Sequence, residues 1–98
     1  MPARDPLSDA ALADALPDGW AHEADGAGGD RIARTFRFAD FRAAFAFLTR
    51  VAFEAEAMDH HPEITNVYDR VTLALSTHDA GNRVTETDLA LARRIDAL

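Results

Sequence analysis

A helical stripe that runs up to a proline constrains this chain more than any other feature. Phe41, Ala44, Phe45, Leu48, Val51, Ala52, Ala55 and Met58 recur at the spacing of one helix face. Asp40 stands just ahead of them as an N-cap residue. Pro62 biases the residue before it away from the α region, so the pattern predicts a helix that stops at about His60 and turns His61 outward. This is the main core helix. Phe47 and Phe53 widen its apolar face, and two readings of them stay open: partial burial under neighbouring loops, or a subunit contact.

The flanking segments read as paired strands. Trp20 to about Ala24 and Arg31 to Phe38 are extended, joined by the flexible turn Asp25-Gly26-Ala27-Gly28-Gly29-Asp30. In the second of these Ile32, Phe36 and Phe38 share a face, opposite Ala33, Thr35 and Arg37, while Arg34 interrupts the apolar row. Beyond Pro62, Ile64 to Asp69 and Val71 to Thr77 predict a hairpin turning near Asp69-Arg70, with Val71, Leu73 and Leu75 alternating with Thr72, Ala74 and Ser76. Continued alternation would point His78 away from Leu73 and Leu75, although the pleat need not persist at a strand end. A short first helix has Ser8 as its cap, Asp9 in its first turn and Leu7 set to staple onto Leu12. Thr85 caps a last helix with Leu89, Ala92 and Ile95 along one side. The order is α-β-β-α-β-β-α, which predicts an α+β fold: a four-stranded antiparallel sheet with helices packed on one face.

A chain of 98 residues is expected to form a single domain over 1–98, small enough for oligomerisation to supply part of its stability. With no Cys it has no disulfide, thiolate metal site or cysteine nucleophile. A net charge of −7 and the absence of any Lys among its ten basic residues argue against binding to nucleic acid. No apolar run approaches the ~20 residues needed to cross a bilayer, and the first residues lack a signal-peptide pattern, so the expectation is a cytoplasmic protein with no membrane contact.

Three of the four histidines fall at two places: His60 and His61 at the end of the long helix, and His78 after the last strand. Carbonyls of a last helical turn favour a protonated imidazole, and an imidazole gives or takes a proton near neutral pH. Glu56 precedes His60 by one helical turn and is expected to share its face and fix its tautomer. That is an acid/base site in outline. His22 belongs to no such group and reads as a solvated strand residue.

Glu56-x-x-x-His60-His61-Pro62, followed by Asn66-Val67-Tyr68 and Leu75-Ser76-Thr77-His78, resembles the signature of the pterin-4a-carbinolamine dehydratase family. The resemblance begins near Gly19-Trp20, runs through Phe36-Arg37-Phe38 and Phe41 to Ala52, and continues to Thr85 and Asp88. It implies the same fold. It also implies dehydration of a 4a-hydroxytetrahydropterin to the quinonoid dihydropterin, in recycling of the cofactor of aromatic amino acid hydroxylases, with no metal and no cofactor. The implied catalytic residues are His60, His61 and His78: His60 and His78 as acids, His61 holding the ring and serving as base. Glu56, Asp59, Pro62, Thr77, Asp79 and Asp88 are the implied substrate-binding residues. Implied partners are a homo-oligomer, dimer or tetramer, and a pterin-dependent hydroxylase.

Asp88 keeps two readings, because the third residue after a Thr cap serves the backbone N–H groups and the helix dipole without any catalytic role. A rival chemistry uses Glu56, His60 and His78 as three metal ligands. A rival class is a non-enzymatic binding partner or dimerisation cofactor, since some animal members of the family also act on a homeodomain transcription factor. Activity of the isolated protein, lost on histidine substitution, separates the enzyme from the binding partner, and bound zinc or iron in the purified protein separates the metal reading.

Overall fold

A computed structural model describes residues 4–98. Its elements in order are α1 (Asp9–Ala15), β1 (Ala21–Ala24), β2 (Asp30–Arg37), α2 (Phe41–Met58), β3 (Glu63–Val67), β4 (Arg70–Leu75), a 3-10 turn (His78–Ala80) and α3 (Glu86–Asp96). The strands form one antiparallel sheet in the order β1-β2-β4-β3. Among the described residues no helix is long and apolar enough to cross a membrane.

The alternation in β4 sorts the two faces of the sheet. Val71, Leu73 and Leu75 are fully buried with Ile32 of β2, and pack in one core with Ala44, Leu48 and Val51 of α2, Leu12 of α1, and Leu89, Ala92 and Ile95 of α3. Each buried Val, Leu or Ile among them contributes about 1.5–3 kcal/mol relative to an exposed one. On the other face the Thr35 and Thr72 hydroxyls share a 2.9 Å hydrogen bond across the strands. Arg34 lies on the core side of β2 without entering the core. Its guanidinium stacks over the Phe36 ring and donates to Asp96 Oδ1 at 3.0 Å. Trp20 Nε1 donates to the same carboxylate, so Trp20 precedes β1 as a buried anchor instead of opening the strand.

The helical stripe is displaced from the one read in the sequence. Ala44, Leu48, Val51 and Ala55 are buried, and Phe47 packs between Phe36 and Phe38 at ring separations of 4.8 and 5.0 Å. Phe41 and Phe45 are left 48% and 53% exposed and Phe53 72%. The helix carries more apolar surface than one sheet face can cover, so period alone does not choose which part of a wide stripe goes inward. Of the two surplus aromatics, Phe47 is therefore half-buried against the core and Phe53 is left exposed.

Two ends also differ. α2 stops at Met58, because Asp59 adopts the left-handed conformation (φ 50°, ψ 45°) that Asp tolerates better than most residues, and the His60 amide donates back to the Ala55 carbonyl. Pro62 restrains only His61, so it does not decide where the helix ends. The β3–β4 turn is at Tyr68-Asp69, with Tyr68 at φ 50°, one residue earlier than expected.

Candidate active site

The left-handed turn at Asp59 swings the chain so that consecutive histidines go to different places. His60 points inward and is 6% exposed, whereas His61 stays at the surface. β4 ends at Leu75, and a bridge between Thr77 and Arg83 leads into the 3-10 turn that begins with His78. The direction of His78 is thus set by that turn and not by the pleat. His60, His61 and His78 line one cleft of about 230 Å3, together with Asp59, Ser76 and Asp79, with Arg4 3.8 Å from the Asp79 carboxylate. A larger, mostly apolar cavity of about 480 Å3 lies beside it between Met58 and Ala90 and shares Arg4 and Asp59. No imidazole lines that second cavity, so the three histidines meet only in the smaller one.

Each histidine of the cleft has one ring nitrogen committed. His60 Nε2 donates to Asp88 Oδ1 at 2.5 Å, His61 Nε2 donates to Glu56 Oε1 at 2.8 Å, and His78 Nδ1 meets Asn82 Oδ1 at 3.3 Å. A carboxylate accepts only, so it fixes the tautomer of the ring it faces and leaves the other nitrogen for chemistry. The expected pairing of Glu56 with His60 is not the one observed. That expectation assumed helix continuing to His60, but the helix has ended, and Glu56 meets His61 instead.

Asp88 is completely buried and joins both of its readings. Oδ2 accepts from the Thr85 amide at 2.9 Å, as an N-terminal capping box requires, while Oδ1 faces His60. Thr77 Oγ1 donates to Oδ2 at 2.8 Å and meets Thr85 Oγ1 at 2.7 Å. Thr77 therefore sits behind the cleft wall, fully buried, and Pro62 is half-buried beside it without lining it. The metal alternative finds Glu56 and His60 turned to different partners.

Sequence reasoning missed a second carboxylate network. Asp30 is 7% exposed and accepts from His22 Nε2 at 2.7 Å, the Val84 amide at 2.8 Å and Arg83 Nε at 3.1 Å. His22 is thus an exposed strand residue, as expected, that is also paired with a buried carboxylate. Asp9 brings a third donor within 4.8 Å of His22 and Asp30, but an ion there would have to displace the hydrogen bond between them. Burial pushes the Asp30 carboxyl upward, and the bonds from His22, Val84 and Arg83 outweigh it, holding the group below the usual carboxylate value. A depressed folded-state value adds stability that is present above the ordinary carboxylate range and lost as pH falls through the folded value. Asp30→Asn is expected to lower the urea midpoint at neutral pH, with the difference from the unsubstituted chain shrinking under acid; a gap independent of pH would refute this.

A family model described as pterin 4 alpha carbinolamine dehydratase matches residues 5–98. A protein of Rhizorhabdus wittichii provisionally named pterin-4-alpha-carbinolamine dehydratase is 52% identical over 97 residues, covering 96% of this chain and 95% of the relative. One of Opitutus terrae under the same name is 54% identical over 80 residues, 82% of this chain and 77% of the relative. Among solved structures, a transcriptional coactivator/pterin dehydratase from Brucella melitensis superposes with a TM-score of 0.85 at 42% identity, covering 95% of this chain and 97% of that one. A pterin dehydratase-like protein described as a RuBisCO assembly factor in the alpha-carboxysome gives 0.66 at 25% identity, covering 81% and 87%.

Proposed function

The chain belongs to the pterin 4 alpha carbinolamine dehydratase family, and from that premise we propose that its histidine cleft dehydrates a 4a-hydroxytetrahydropterin to the quinonoid dihydropterin. The observation that carries this reading is three imidazoles on one cleft, one of them backed by a buried carboxylate. In this mechanism the C4a–O bond breaks with its electron pair going to oxygen. A protonated imidazole gives that oxygen its proton so that water leaves, and the N5 lone pair fills the vacancy at C4a. A base then removes a ring N–H proton from the cation. Electrons balance within the pterin itself, so no cofactor takes part.

His60 and His78 are the acids in this scheme, each reaching a hydroxyl on one face of the ring. His61 holds the ring and takes its proton, with Glu56 steadying the imidazole through Nε2. Asp59 and Asp79 hold the substrate at the cleft wall. Asp88 and Thr77 act from behind it, and Pro62 by shaping the chain after His61. The substrate comes from a pterin-dependent aromatic amino acid hydroxylase, with which a soluble complex is part of the proposal. The test is decay of freshly generated 4a-hydroxytetrahydropterin, followed by absorbance with and without the protein. Equal rates end the reading.

A homo-oligomer, dimer or tetramer, is also proposed, because Phe41, Phe45 and Phe53 leave a wide apolar strip exposed on α2. Phe53→Asp is expected to lower the sedimenting mass while dehydration persists, since a buried unpaired charge costs about several kcal/mol. A wild-type monomer would exclude it. The two structural neighbours described as a coactivator/dehydratase and an assembly factor support a second, non-enzymatic reading. An isolated protein that leaves the pterin's decay unchanged would favour it.

A further inference from the structure

We infer that Asp30 is a positioning residue for the histidine cleft, holding Asp88 and through it the ring of His60; this rests on the proposed function above. Asp30 lies at the start of β2, outside the cleft, yet two successive backbone amides tie it to Asp88. The Val84 N–H donates to Asp30 at 2.8 Å and the next amide, of Thr85, donates to Asp88 at 2.9 Å. The dipeptide is thus stretched between two buried carboxylates, one of which carries His60.

The same short segment is fastened along its length. The Asp30 amide donates to the Asn82 carbonyl at 2.9 Å, Arg83 Nε reaches Asp30 Oδ1 at 3.1 Å, and the Arg83 carbonyl accepts from the Thr77 amide at 2.9 Å. Gly29 makes the approach possible, since a Cβ there would stand 2.3 Å from the Asn82 carbonyl oxygen. His78 is the residue after Thr77, and its own ring meets Asn82. The segment from Asn82 to Thr85 therefore joins the turn that carries His78 to the helix that carries Asp88, and Asp30 is what pins it to the sheet. A displacement of a fraction of an ångström at Thr85 would change the His60–Asp88 contact directly, and acid/base groups lose rate steeply when misplaced.

The test is Asp30→Asn, with Arg83→Leu as a milder partner at a half-exposed position. Two readouts are taken: the kcat and KM of dehydration, and the downfield proton resonance of His60 Nε2–H against Asp88. Asp30→Asn is expected to lower kcat by about tenfold with KM nearly unchanged, and to move or broaden that resonance; Arg83→Leu shifts it less, in the same sense. A resonance unmoved in both folded variants overturns the inference, whatever the rates. If Asp30→Asn does not fold, Arg83→Leu alone decides it. The resonance is measured without substrate, so a wild type lacking dehydratase activity would defeat the functional reading and leave this result standing.

Discussion

Asp88→Asn is expected to lower the dehydration rate constant by about 10²-fold or more and the stability of the fold by about 2–4 kcal/mol. Asp88 accepts three hydrogen bonds with its two oxygens, from His60, Thr77 and the Thr85 amide, and has no solvent-exposed surface. Asparagine has one acceptor oxygen and presents an NH2 where the second stood. With its NH2 toward His60 it pairs only if the imidazole takes the other tautomer, and with its NH2 toward the Thr85 amide it sets a donor against a donor. If the oxygen stays on the Thr85 side, His60 loses the acceptor that fixes its tautomer; if it turns to His60, the α3 cap is lost. Stopped-flow dehydration and urea denaturation on the same preparation measure both effects. A variant with the wild-type rate would remove Asp88 from the site and leave it a helix cap.

The outline of the fold is legible in the sequence because its signals are local. Asp40 and Ser8 cap the helices they precede, accepting from Ala43 and Ala11, and the alternation in β4 falls inward and outward as read. Signals that depend on distant neighbours are not. Nothing near Phe41 or Phe45 says that the sheet is too narrow to cover them, and nothing near Arg34 announces Asp96 and Trp20. The site divides the same way. Its histidines are found from spacing within short segments, but the partner of His60 lies 28 residues away and the Val84 amide lies 54 residues from Asp30. Glu56 shows the limit most directly: residues four apart share a face only within a helix, and a left-handed Asp59 ends this one before His60.

That same turn underlies the last expectation, which concerns the two proposed acids. His60 is buried against Asp88 and His78 is exposed at the opposite end of the sequence motif, yet both line one cleft. If each protonates a hydroxyl on its own face of the pterin, a substrate of mixed configuration at C4a decays in two comparable phases with the unsubstituted protein. His60→Ala should slow one phase and His78→Ala the other, each by about 10²-fold. The double variant should slow both, because each face then lacks its acid. His61 and its Glu56 contact are untouched in all three, so binding of the ring is retained and KM changes little. Single variants that slow both phases equally would mean that the histidines act as one unit on a single face. A double variant whose two phases match those of one single variant would mean that the other histidine has no part in the proton transfer.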